Sequence, residues 1–91
     1  MRREKQFRGI SIRLARNYLK NLGGSAVDGS GDDTTVEGDG WRAELAAEKV
    51  EIGPSMELTE VTVVFEADDL SEDAFEELIE DFSRKAMRAG G

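Results

Sequence analysis

Apolar residues fall on every second position in two stretches of the chain: Trp41, Ala43, Leu45 and Ala47, then Val61, Val63 and Phe65. A period of two places each set on one face of a β-strand, so the chain must build a sheet with one face buried and the other wet. On either side the period changes. Leu14, Ala15, Tyr18, Leu19 and Leu22, and later Phe75, Leu78, Ile79, Phe82 and Ala86, recur at helical spacing. One apolar sheet face and two apolar helix stripes are satisfied together when both helices lie on the same face. The expected class is α+β, an antiparallel sheet with two helices on one face.

Punctuation in the sequence sets the order of elements. Residues 3–9, with Glu4-Lys5-Gln6-Phe7-Arg8 at the centre, read as a polar edge strand. Ser11 offers a capping oxygen for the first helix, and Gly23-Gly24 supply its stop. Ser25-Ala26-Val27 reads as a short strand, and residues 28–35 as an acidic flexible loop. Thr34-Thr35-Val36-Glu37 is β-prone, and Gly38-Asp39-Gly40 signals a hairpin. Glu48-Lys49 reads as the next turn, ahead of Val50 and Ile52; Gly53-Pro54-Ser55 then interrupts pairing, before Met56 and Leu58 resume alternation. Trp41, Met56 and Met87 are expected to pack.

Asp68-Asp69-Leu70-Ser71 opens the second helix, with Asp69 or Ser71 as its cap. Acids Glu72, Asp73, Glu76 and Glu77 crowd its positive end, and Arg84, Lys85 and Arg88 its negative end. Glu80–Arg84 and Asp81–Lys85 stand at pairing distance along it. The order predicted is β-α-β-β-β-β-α, a single domain over residues 1–91 with a frayed diglycine tail at 88–91.

Composition then removes whole classes of chemistry. The 91 residues have no cysteine and no histidine. Disulfides, zinc sites with nitrogen or sulfur ligands, thiol redox chemistry and Ser-His-Asp triads are excluded. Twenty acids stand against twelve cations, a net charge of −8, and only four of the cations are lysine. That balance suits a cytoplasm of molar salt, where self-repulsion is screened, and it disfavours nucleic acid as a partner. No stretch reads as a membrane span or an export signal, so a soluble, cytoplasmic, halophilic protein is expected. The charge is uneven. Residues 1–20 carry seven cations against Glu4, residues 21–83 hold nineteen acids against two cations, and residues 84–91 add three cations.

Four features invite a functional reading. Asp28, Ser30, Asp32 and Asp39 fall on calcium-loop positions, but Asp33 stands where such a loop needs glycine, so no metal site is expected. Arg8, Ser11, Arg13 and Arg16 cluster at the start of the first helix, where free N–H groups and cations would favour an anion or an acidic partner. The alternative is that these arginines pair with the protein's own carboxylates. The many acids could include a catalytic pair, yet no nucleophile, base or glycine-rich phosphate loop accompanies them, and no enzyme or cofactor is expected. Finally, Gly90-Gly91 matches the end that ubiquitin-like sulfur carriers and modifiers present for adenylation. Those carriers place the pair after a strand, and here a helix precedes it.

Several runs resemble the MoaD-related protein C-terminal domain family. They are Phe7-Arg8-Gly9-Ile10-Ser11 with Leu14-Ala15, Tyr18-Leu19 and Leu22-Gly23-Gly24; Val36 to Trp41; Ile52-Gly53-Pro54; Leu58 to Glu66; and Lys85 to Gly91. The resemblance implies a TBP-like fold of the same β-α-β-β-β-β-α order. It also implies an association with molybdopterin synthesis, as an accessory to a MoaD- or ThiS-type β-grasp carrier or its activating enzyme. Stand-alone versions occur in haloarchaea, in keeping with the composition. The family brings no catalytic residues. The expected function is therefore a non-catalytic binding domain; the alternative is a carrier activated at its own C-terminal glycine.

Overall fold

A computed structural model describes residues 1–26 and 34–90. The element order is β1 (Arg2–Arg8), α1 (Ile12–Asn21), β2 (Ser25–Ala26), β3 (Thr35–Gly38), β4 (Trp41–Gly53), β5 (Met56–Ala67) and α2 (Glu72–Gly90). The five strands form one sheet in the order β1-β5-β4-β3-β2, and every neighbouring pair is antiparallel. β2 to β5 make a meander, while β1 joins at the far side of β5. The chain must therefore cross from one edge of the sheet to the other between β1 and β2. It does so through α1, which lies against β2, β3 and β4, while α2 lies against β1 and α1.

Both ends of α1 are closed by local chemistry. Ser11 Oγ accepts from the Leu14 N–H at 3.2 Å. At the other end, the Gly24 N–H donates to Leu19 O at 2.9 Å and the Gly23 N–H to Lys20 O at 3.1 Å. That pair of bonds is a Schellman motif, and it needs the positive φ of 101° that Gly23 supplies without strain. Of the expected stripe, Ala15 and Leu19 are fully buried and Tyr18 and Leu22 half-buried, but Leu14 is 39% exposed. Leu14 lies at the margin of the stripe, and Ile10, just ahead of the helix, takes the buried place instead. For α2 the cap is settled in favour of Ser71, whose Oγ accepts from the Ala74 N–H at 3.1 Å.

The core is a single cluster. Val36, Trp41, Ala43, Leu45, Val61, Val63 and Phe65 supply the sheet side, and Ala15, Leu19, Phe75, Leu78, Ile79, Phe82 and Ala86 the helix side. Phe82 is its junction: its ring meets Phe65 of β5, Phe7 of β1 and Tyr18 of α1 edge-on, at centroid distances of 5.5, 5.2 and 6.1 Å. This edge-to-face geometry suits aromatic quadrupoles.

Four expectations are corrected. Glu48-Lys49 is no turn: β4 runs unbroken to Gly53, with Glu48 opposite Glu60 and Lys49 opposite Thr59. Both residues are exposed, so a charged pair is tolerated mid-strand, and the chain reverses only between Gly53 and Met56, around Pro54. As a result the β4–β5 ladder outruns the helices. Met56 is 62% exposed there, and Met87 on α2 is 69% exposed, so neither packs as expected. Arg84 meets Asp81, three residues back, at 3.4 Å, where pairs four apart were expected. Thr35 of the expected 28–35 loop is already in β3, residues 28–33 lie outside the described residues, and the calcium-loop acids Asp28 and Asp32 lie there with them.

Candidate functional site

Alternation along β1 sends its side chains to two surfaces. Arg3, Lys5 and Phe7 share the helix-covered face with Phe65, Val63 and Val61, which they oppose. Arg2, Glu4, Gln6 and Arg8 lie on the open face. There the register builds rows of alternating charge. Arg2, Glu66, Arg42 and Glu37 stand side by side across four strands, with ion-pair contacts of 3.8 Å for Arg2–Glu66 and 4.0 Å for Arg42–Glu37. These pairs are exposed and worth at most ~1 kcal/mol each.

Arg8 belongs to a more buried row. Its Nε donates to Glu60 at 2.9 Å, and the Glu60 side chain is only 11% exposed. Glu48 stands across from Glu60 on the other side, so Arg8 offsets a repulsion between two acids held opposite each other. Glu60 is a site residue that reading the sequence missed, because on the wet face of an alternating strand nothing marked it for burial. Of the other sequence candidates, Ser11 spends its oxygen on the cap of α1. Arg16 is half-buried and engaged within the chain, and Arg13 is exposed on α1. Arg8 and Ser11 thus both have intramolecular partners.

A different grouping emerges from the tertiary structure. A groove of about 390 Å³ between β1 and α2 is lined by Arg3, Lys5, Glu76, Ile79, Glu80, Ser83, Arg84 and Met87. Arg3 forms a two-pronged pair with Glu76. Beside it, a second hollow between α1 and α2 is lined by Asn21, Leu22, Asp81, Arg84, Lys85 and Arg88. The cations of the two ends of the sequence, far apart along the chain, therefore flank the same helix. This side of the molecule can hold anionic groups. Among the described residues no group of three or more acids is placed to hold a metal ion.

The C-terminal helix is continuous through Gly90, so residues 88–90 form its last turn instead of a trailing segment, and Gly91 lies outside the described residues. Among the described residues no helix is long and apolar enough to cross a membrane. The family model described as archaeal MoaD-like protein matches residues 3–91, nearly the whole chain. No curated protein matches it.

Proposed function

We propose, from the premise that this chain belongs to the archaeal MoaD-like family, that it is a non-catalytic accessory domain whose basic side holds a protein partner. The setting the family suggests is molybdenum-cofactor biosynthesis or sulfur transfer, and the partner class is a β-grasp carrier or the enzyme that activates it. The observation that carries this reading is the meeting of Arg3 and Lys5 with Arg84 around α2, on a domain that is otherwise strongly acidic. Opposite charge at one side steers and orients an acidic partner more than it tightens binding. Isothermal titration in concentrated KCl against a carrier, its activating enzyme and pterin phosphates tests the proposal. Heat with one of the proteins, weakened by Lys5→Glu, supports it; no heat with any of the three refutes it.

The family description favours one alternative, a sulfur carrier activated at a diglycine carboxylate. Against it stand the helix through Gly90 and the wholly antiparallel sheet, since such carriers present the glycines after a final strand. Intact mass after incubation with an activating enzyme, ATP and a sulfur donor decides between them. Exchange of one oxygen for sulfur, abolished by one residue added after Gly91, would establish the carrier.

A further inference from the structure

β1 is the terminal strand of the sheet, and its outer edge carries usable hydrogen-bonding groups. Met1 and Ala67 exchange N–H···O bonds in both directions, at 2.8 and 2.9 Å, and the Gly9 N–H donates to Thr59 O at 3.0 Å. Bonded pairs recur at every second residue of an antiparallel ladder, so Arg3, Lys5 and Phe7 direct their backbone groups to β5. The N–H and C=O groups of Arg2, Glu4, Gln6 and Arg8 therefore point away from the sheet. No strand among the described residues pairs with them. At the opposite edge β2 has only two residues, while β1 offers seven; the far arm of β4, beyond Leu45, is also unpaired on its outer side among the described residues, but no cation-lined groove adjoins it there.

The groove beside this edge has donors in excess. Lys5 makes no ion pair among the described residues, and Ser83 Oγ is sealed from solvent with no hydrogen-bond partner. An unpaired hydroxyl of this kind is a cost that an acceptor would remove, once rotation about χ1 turns it into the groove. The ion pairs of Arg2, Arg3 and Arg8 leave those arginine side chains 43–64% exposed, so a partner's carboxylates can compete for them. A second copy of the same strand is a poor occupant, because it would set four cations against four.

We propose that the outer edge of β1 accepts an extended acidic segment of a partner protein as a sixth strand, with one of its carboxylates in the groove beside Lys5 and Ser83. Main-chain bonds to Arg2, Glu4, Gln6 and Arg8 hold the segment, and alternate side chains meet the flank of α2. This deepens the accessory-domain reading and rests on it for the existence of a partner.

The test uses a fluorescein-labelled peptide of alternating glutamate and valine, titrated into the whole chain, with a lysine–valine peptide as control. Binding by the acidic peptide alone is expected, with hydrogen exchange slowed at the Glu4 and Gln6 amides. N-methylation of alternate peptide residues, which leaves the protein untouched, is expected to weaken binding by roughly tenfold in one phase and little in the other. No binding, equal binding of both methylated forms, or binding without slowed exchange at Glu4 and Gln6 overturns the proposal. Should the peptide fail while a carrier or its enzyme is still bound, the edge site falls and the accessory-domain reading stands. The reverse result sinks only that reading.

Discussion

Truncating Phe82 to alanine removes a side chain that touches the other helix, the sheet and the edge strand at once. The ring is fully buried against Phe65, Phe7 and Tyr18. Losing a buried phenylalanine forfeits about 2–3 kcal/mol of transfer free energy. If the surroundings did not relax, a void of roughly 100 Å³ would add up to ~2.4 kcal/mol at about 24 cal/mol per Å³. Partial collapse brings the total to about 3–5 kcal/mol. A domain of this length has only about 5–14 kcal/mol of stability to lose, so the variant gives up a large share of it. Urea titration is the suitable assay, because urea is uncharged and leaves the ionic strength fixed. Trp41, the sole tryptophan and only 8% exposed, reports unfolding by its fluorescence. The midpoint should fall steeply with the slope unchanged, and Met87→Ala, on the exposed side of the same helix, should move it by less than ~0.5 kcal/mol. A loss below about 1 kcal/mol for Phe82→Ala, with an unchanged slope, would refute the picture of a core joined at that ring.

Leu19→Ala should cost about 2–5 kcal/mol while Leu14→Ala costs under ~1, since Leu19 is fully buried and Leu14 is 39% exposed; paired urea curves decide it. Ser71→Ala removes the Oγ acceptor of the Ala74 N–H and should lower stability by about 0.5–2 kcal/mol, with Ser71→Asp restoring most of it, read from thermal melts by circular dichroism. Gly38→Ala should destabilise well beyond an ordinary surface change, because a Cβ there runs into the Trp41 indole in the hairpin; an unchanged melting temperature would contradict that packing. Arg8→Ala should cost more than Arg2→Ala, because it leaves the nearly buried Glu60 facing Glu48 unpaired while Glu66 keeps contact with solvent; molar KCl should narrow the gap.

Much of this architecture was legible before any coordinates. The two-residue period at 41–47 and 61–65, the helical stripes at 14–22 and 75–86, and Ser11 and Gly23-Gly24 as stops are local signals, each acting within a few residues. They determined the element order and which face of each element is buried, because backbone geometry ties side-chain direction to sequence position. The misreading at Glu48-Lys49 shows where local signals end. Turn-like polarity and an exposed strand arm look alike in sequence, and only pairing across to Thr59 and Glu60 separates them.

Function was less legible for a related reason. The basic helix start at Arg8, Ser11, Arg13 and Arg16 was visible as a run, but whether its charges were free depended on Glu60, a residue 52 positions away. The joining of Arg3 and Lys5 to Arg84 likewise rests on β1 pairing with the last strand and α2 folding back over it. Sequence alone thus determined the elements, their polarity and the total charge, which follow from near neighbours and composition. The sheet order, the open edge of β1 and the grouping of cations around α2 were decided by contacts between distant segments, which no local pattern encodes.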